Sequence, residues 1–434
     1  MNHQMFWKIR FLLSIIIDFT ILCCMIVKNL FNVIYSKLFV FKPFFPKKIL
    51  IIRIDRLGDA IITTPLIKAL KDINPDMKIY VLASTKNRLI FENNPYIEKV
   101  FYIKANTWLK YRQRLYSSLY FLESFLKEHL LDKNFWSTLF KLKILRIDLT
   151  LDLVGRKRTS FIGKITSKYC ITHNLKEFSY FADYCLEYHY VSPYPKKHIV
   201  ERYFDLCSRG VKTMLQVNPF DYPLELYLCN EKPIENRSII LFHIGGTAYR
   251  RLDNNTLLEI IKSLSRKFDY KIYLIDEPHN PNLYYFKQNL RDFDIRFIQQ
   301  MDLESLIKFV AQKVKLAFAP DGGTAHIFSA ITNTFVYFGP GSVWVWYPWD
   351  KSRPIHIKTY ENGVQVWQTQ GKYLHRFIFY PISCSPCYDI GCKERYCLKA
   401  LKSEIFIEEL QKMIKVVFDK NIDKNKGRGN ISNV

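Results

Sequence analysis

The chain has 434 residues, 49% of them hydrophobic, enough for about two domains with sizeable cores, and this excludes wholesale disorder. Its 64 Lys and Arg against 40 Asp and Glu give a formal charge of +24, which attracts phosphorylated substrates, acidic lipid head groups or nucleic acid without choosing among them. Six of the ten cysteines are scattered (Cys23, Cys24, Cys170, Cys185, Cys207 and Cys229) and four are crowded at the far end. That pattern does not suit a secreted disulfide framework and fits a reducing, cytoplasmic setting.

The first element is an apolar stretch, FLLSIIIDFTILCCMIV over residues 11–27, interrupted by Asp18. A comfortable membrane span needs ~20 apolar residues, and a central Asp costs ~2.5–3.5 kcal/mol on insertion scales. No small-residue cleavage site follows it. The aromatic and lysine-bearing KNLFNVIYSKLFVF continues in the manner of an interfacial helix. Lys28, Lys37, Lys42, Lys47 and Lys48 follow the segment, against Lys8 and Arg10 before it; if it spans, the body of the protein lies in the cytoplasm. A helix packed on the protein's own surface is the alternative.

From residue 47 the pattern becomes α/β. KILIIRI is a continuous apolar run, as in a strand buried on both faces. In the next segment Thr64 and Pro65 serve either as N-cap and first helical residue, or Pro65 kinks a helix begun near Asp59. MKIYVLAS, VFYIK and RIDLTLDLVG read as strands, and HIVERYFDLCSRG as a helix stopped by Gly210. Residues 107–146 are aromatic and helical in tendency, an insertion over a cleft or a membrane face. Residues 216–237, rich in proline and polar groups, are the linker candidate. A second alternation follows: SIILFHIGG, NNTLLEIIKSLSRKF, YKIYLID, DLESLIKFVAQKV, KLAFAPDGG, TAHIFSAI and TFVYFGPG, with a last helix over KSEIFIEELQKMIKVVF. Two successive βαβ blocks predict two doubly wound domains, whose ligands bind beyond the carboxyl ends of the strands. The domains expected are a membrane-associating extension (1–46), an N-terminal domain (47–215), the linker, a C-terminal domain (238–402), a C-terminal helix (403–419) and a disordered tail (420–434).

Three turns after strands carry the chemistry. In RLGDA, Asp59 is either a helix cap or a carboxylate available to a ligand. In HIGGTAYRRLD, Gly245 and Gly246 let the backbone approach an anion, Thr247 adds a hydroxyl, and Arg250 and Arg251 add charge. In PDGGTAHIFSA, Asp321 either accepts sugar hydroxyls or caps the helix, and the N–H groups of Gly322, Gly323 and Thr324 form a diphosphate cradle. His326 in the first turn is a donor to phosphate or a satisfied polar residue. Neither glycine turn matches the Walker lysine motif or the dinucleotide fingerprint.

The ordered set RIDRLGDAIITTPLIKALK, HIGGTAYRRLD, APDGGTAHIFSA and FGPGSVWVWYPW resembles glycosyltransferase family 9, the bacterial ADP-heptose:lipopolysaccharide heptosyltransferases, from about Lys47 to about Phe418. The resemblance implies the GT-B architecture, two Rossmann-like domains facing a cleft. It implies inverting sugar transfer without a catalytic metal or other cofactor, from a nucleotide sugar such as ADP-heptose held by the C-terminal domain to a lipid-linked glycan acceptor on the N-terminal one. Residue by residue it makes Asp59 the general base, and places Arg251, with Thr247, on the donor phosphates, with Asp321, Gly323, Thr324 and His326 as the donor motif. The implied location is the cytoplasmic face of the bacterial inner membrane, with the membrane surface as a partner. Leu252-Asp253 replaces the family's usual Trp-Pro, and LIDEPHN replaces a glycine turn, leaving Asp276 and Glu277 as candidates for the ribose. These departures bear on donor identity: another nucleotide sugar is the alternative.

A basic nucleic-acid-binding protein is the second and weaker reading, suggested by the charge of +24; a nucleic-acid partner is not expected, since the basic residues are dispersed and form no recognisable motif. An inactive, membrane-tethered scaffold is a third reading; the joint presence of Asp59, Arg251, Asp321 and His326 weighs against it. CSPCYDIGCKERYC, with Cys384, Cys387, Cys392 and Cys397, is either a structural zinc loop or a compact cysteine-rich loop without metal. SVWVWYPWD lines the donor site or packs as core.

Overall fold

A computed structural model describes residues 45–104, 132–174, 182–187, 197–210, 216–227, 237–276, 282–298, 301–387 and 392–418. The expected extension up to residue 44, the insertion up to residue 131, Glu277 and the tail lie outside these. Two compact units are present. The first takes Met1–Arg56, Ala69–His189 and Tyr203–Gln216; the second takes Leu57–Lys68, Tyr190–Arg202 and Val217–Val434, in each case for the described residues within those bounds.

The first unit is built on six strands: β1 (Lys48–Arg53), β2 (Lys78–Ser84), β3 (Lys99–Ile103), β4 (Ile147–Asp152), β5 (Ser167–Asn174) and β6 (Tyr184–Glu187). Their order is β3-β2-β1-β4-β5-β6 and every pairing is parallel. Ile49 to Ile52 are fully buried, as an apolar run flanked by parallel strands on both sides requires. On one face Leu50, Ile52, Leu82 and Phe101 pack with Leu139 and Leu142 of helix α4 (Lys133–Ile144) and Ile162 of α5 (Lys157–Thr166). Asp152, wholly buried at the end of β4, ties the strand to α5: Oδ1 accepts from the backbone N–H of Val154 and Gly155, and Oδ2 from the hydroxyls of Thr159 and Ser160.

The second unit has eight strands: β7 (Ile239–His243), β8 (Lys271–Ile275), β9 (Ile295–Ile298), β10 (Val314–Pro320), β11 (Asn333–Phe338), β12 (Ile355–Thr359), β13 (Gln365–Gln370) and β14 (Leu374–Phe379). The order is β12-β13-β14-β11-β10-β7-β8-β9; β14 through β9 run parallel, and the β12 and β13 pairings are antiparallel. The chain winds outward in both directions from the β7/β10 pair, so the turns after these two strands flank the topological switch point. Phe242, Phe318, Phe335 and Phe406 form the centre of the core, with Phe318 and Phe335 stacked at 5.8 Å between centroids. The last helix, α13 (Ser403–Phe418), is fastened by the fully buried Glu409, which receives Arg376 at 2.9 Å and the Tyr360 hydroxyl at 2.8 Å. The two-sheet, parallel-dominated architecture is the one the sequence pattern predicts.

The polar stretch taken as a linker contains a 3-10 turn over Pro219–Asp221. Phe220 stacks on Trp349 at 4.6 Å, and the Tyr222 carbonyl accepts from Trp349 Nε1 at 2.9 Å. Trp349 of the aromatic stretch is therefore core. Among the described residues no helix is long and apolar enough to cross a membrane.

Gly155 tests the first unit. It has φ +69°, and a Cβ there would lie 2.1 Å from the His173 carbonyl oxygen. Gly155→Ala combines a left-handed backbone with a collision against main chain, and we expect a loss of at least about 2 kcal/mol in urea unfolding; a loss within about 0.5 kcal/mol would contradict this packing.

Candidate active site

The segment after β1 folds as two short helices, α1 (Leu57–Ile62) and α2 (Thr64–Ile73), broken at Thr63. Both alternatives for Pro65 are partly realised: a helix begins near Asp59, and a new one starts at Thr64. Pro65 has no N–H for the Ile61 carbonyl, and the Thr64 hydroxyl donates to that oxygen at 2.8 Å instead. Asp59 sits in the first turn of α1, half-buried, inside the helix rather than before it.

The N-terminus of α1 meets that of α10 (Gly323–Ile331), within the second unit. A Cβ on Gly58 would lie 2.8 Å from Gly323 Cα and 3.1 Å from His326 Cδ2; one on Gly323 would lie 3.2 Å from the Gly58 nitrogen. The two helices thus touch backbone to backbone, and glycine at both positions allows it. The Gly-Asp pair and the Asp-Gly-Gly-Thr segment, 265 residues apart at the Gly58–Gly323 contact, are one local structure.

Beside this contact lies the turn after β7. Gly245 is buried; Gly246 has φ +102°, and a Cβ there would meet Pro320 at 3.3 Å. Thr247 is exposed and opens a 3-10 turn over Ala248–Arg250 with its hydroxyl uncommitted to capping. That turn sends Arg250 towards the neighbouring strand end, where its Nη1 donates to Asp321 Oδ2 at 3.1 Å. Burial alone would lower the Arg250 pKa; the Asp321 carboxylate, then Tyr249 and Asp59, reverse this and hold the guanidinium above its ordinary value. One cation is thus shared electrostatically by the carboxylates of two motifs.

Asp321 is not the N-cap residue of α10. Its own N–H donates to the Tyr337 carbonyl at 2.9 Å, and the N-cap residue is Gly322, without a side-chain cap bond. A Cβ on Gly341, in the turn after β11, would fall 2.3 Å from Asp321 Oδ2, so that glycine makes room for the carboxylate. His326 is buried against Trp346, 6.3 Å between centroids. Burial first, and Arg250 second, lower its pKa to about 4, so it is neutral at physiological pH. Trp346 therefore lies by His326 while Trp349 is core, a division the aromatic stretch alone does not reveal.

Arg251, expected on the donor phosphates, has surroundings different from those of Arg250. Its carbonyl accepts from Arg395 Nη2, and both arginines act electrostatically on buried Tyr337. Among the described residues, Arg250 Nε, Arg251 Nη1, Arg395 Nε and His326 Nδ1 are buried without a hydrogen-bond partner. Three of these four nitrogens belong to guanidinium groups, which carry positive charge. Arg250 in its pairing role, Arg395 and Gly341 are the residues that sequence reasoning missed. Asp276 is buried just beyond β8. The four crowded cysteines form no disulfide, and among the described residues no group of three or more His, Cys, Asp or Glu is arranged to hold a metal.

No protein-family profile and no curated protein matches the chain. Solved structures do match, and the class they define is the GT-B glycosyltransferase fold. The chain is similar to a glycosyltransferase family 9 structure from Veillonella parvula, at 16% identity over 85% of this chain and 97% of that one, with a TM-score of 0.55. It is also similar to E. coli heptosyltransferase WaaC solved with ADP (12% identity, 84% and 99% of the two chains, TM-score 0.57) and to E. coli ADP-heptose lps heptosyltransferase II (16%, 85% and 98%, TM-score 0.53). The resemblance read from the motifs thus holds at the level of fold.

His326, and His243 at the end of β7, are both buried and both lowered to about 4, His243 by burial alone. An unfolded imidazole titrates near ~6.5, so the folded protein binds fewer protons below that pH. The contribution is complete above pH ~6.5 and is lost as the pH falls through about 4, on the order of 3 kcal/mol per group. Urea midpoints measured across that window should fall less steeply in His326→Gln than in the natural chain; equal slopes would reject a buried neutral imidazole at this position.

Proposed function

We propose that the protein is a metal-independent, inverting glycosyltransferase that moves heptose from ADP-heptose onto a lipopolysaccharide core or related lipid-linked surface glycan, at the cytoplasmic face of the inner membrane. The carrying observation is the Gly58–Gly323 contact, with Arg250 in the field of both Asp59 and Asp321. The fold shared with E. coli WaaC solved with ADP and with ADP-2-deoxy-2-fluoro heptose supports a nucleotide-sugar donor.

In this reading residues 47–215 form the acceptor domain and 238–402 the nucleotide-sugar domain. Asp59 is the general base. As the acceptor hydroxyl oxygen bonds to the anomeric carbon, its proton passes to the Asp59 carboxylate and the bond from that carbon to the donor diphosphate breaks. The leaving diphosphate takes up the bonding pair. Its charge meets the α10 N-terminus at Gly322, Gly323 and Thr324, the Gly245–Gly246–Thr247 turn, and the Arg251 guanidinium. Arg250 positions Asp321 for the donor sugar, and His326, neutral, offers an N–H rather than a charge. Preorganised donors of this kind are a sufficient source of leaving-group stabilisation, so no cofactor enters the scheme.

Two measurements test it. Asp59→Asn should lose ~10²-fold or more in turnover while calorimetry finds donor affinity unchanged; ordinary turnover would remove Asp59 as the base. A panel of ADP-, UDP- and GDP-sugars, read by thermal shift and then by product mass, should favour ADP-heptose. Preference for a UDP-sugar would overturn the donor assignment and leave the fold untouched.

A further inference from the structure

Helix α4 of the first unit carries two apolar stripes. The inner one, Phe135, Leu139 and Leu142, is buried in the first core. The outer one, Trp136, Phe140 and Ile144, falls at i, i+4 and i+8, and its members are 40%, 67% and 61% exposed. A helix on a soluble surface presents polar residues there, and single exposed apolar side chains are ordinary. Three aligned on successive turns make a continuous patch, which marks an interaction surface. Behind it lies an apolar groove of about 550 Å³, lined by Trp136, Leu139, Phe140, Lys143, Ile165 and Thr166.

The charges around the stripe are of one sign. The remaining exposed residues from 133 to 146 are Lys133, Asn134, Ser137, Lys141, Lys143 and Arg146, four cations and no carboxylate. The acid at the helix start, Asp132, is engaged as N-cap, accepting from the Phe135 N–H at 3.1 Å. A tryptophan at the edge, aliphatic and aromatic groups along the middle and lysines on both flanks match the layering of an anionic bilayer: head groups outside, acyl chains inside. Lysine stems lie along apolar surface while their ammonium groups reach phosphate.

We propose that α4 docks the first unit onto an anionic phospholipid bilayer, inserting Trp136, Phe140 and Ile144 among the upper acyl carbons while Lys133, Lys141, Lys143 and Arg146 bind head-group phosphates. The inference rests on the function proposed above only for which membrane is meant. The surface belongs to the first unit and the candidate anion site to the second, so donor binding is expected to survive loss of docking.

The test uses the full chain with vesicles of phosphatidylcholine alone or with phosphatidylglycerol. A photo-crosslinking phenylalanine analogue at position 140 should form a lipid adduct with the anionic vesicles. The double variant Phe140→Glu, Ile144→Glu should bind them at least tenfold more weakly, with calorimetric donor affinity unchanged. Lys141→Gln with Lys143→Gln should flatten the dependence on anionic lipid. Adducts to another segment of the same chain, such as residues 105–131, or to a second copy would identify a different occupant and overturn the proposal, as would no adduct at all or undiminished vesicle binding by the double variant. Should the double variant fail to fold, the adduct at position 140 decides alone. None of these readouts uses sugar transfer, so their failure is distinct from failure of the enzymatic reading.

Discussion

At Gly58 and Gly323 two helices meet by their main chains, and the candidate site exists because nothing stands between them. Any side chain at Gly58 would push on the Gly323 backbone and the His326 ring together. The contact brings the N-terminal turns of α1 and α10 to the same place, so their free N–H groups and partial positive charges add. A carboxylate one residue beyond such a junction is electrostatically favoured at a helix start, and the same geometry sets Asp59 in the field of Arg250. The Gly-Asp pair is thus better understood as a helix–helix contact followed by a carboxylate than as a cap.

The surrounding packing keeps that junction in register. His198 lies under it as a neutral imidazole: Nδ1 accepts from the Val200 N–H at 3.2 Å, so Nε2 carries the proton to the Tyr347 carbonyl at 3.0 Å. Burial, and then His326, drive its pKa well below the ordinary value, in agreement with that tautomer. Trp349 stacks on His198 at 4.7 Å and on Phe220 at 4.6 Å, so one indole fixes both the segment entering α6 (Ile199–Gly210) and the polar stretch after it. Aromatic side chains here carry polar tips with satisfied partners, which lets a rigid stack sit next to ionised groups without an unpaired polar atom on the indole.

The parts that were legible in the sequence share a physical cause. Strands such as Ile49–Ile52 and Leu316–Ala319 are apolar on both faces because parallel neighbours cover both, so they announce themselves as runs. Strands β12 to β14 escape that pattern. Every residue of β12 is exposed, and β14 buries His375 and Arg376, which look like loop residues until Asp350, at 3.5 Å from His375, and Glu409, at 2.9 Å from Arg376, are in place. At the site, glycine turns and their acids could be located because backbone geometry restricts the residue type. The choice between Arg250 and Arg251 could not, because a 3-10 turn decides which of two identical neighbours meets Asp321. Arg395 gave no local signal at all: it acts on the site from a left-handed position, φ 48°, in a distant segment.

The Arg250–Asp321 pair also constrains how an anion can be received. Arg250 binds Asp321 through Nη1, while its Nε is buried without a partner among the described residues. Under the proposed function the Arg250–Asp321 pair stays intact while the diphosphate is met by Arg251 and the two glycine turns. That matters because the Asp321 side chain is only 6% exposed, and removing its cation would leave a buried carboxylate uncompensated. A guanidinium suits this arrangement where an ammonium would not, since its planar fork presents separate N–H groups in fixed directions. The carboxylate keeps Oδ2 on the cation and close to Gly341, where any side chain would collide with it, so the pair and that glycine hold Asp321 in one orientation together.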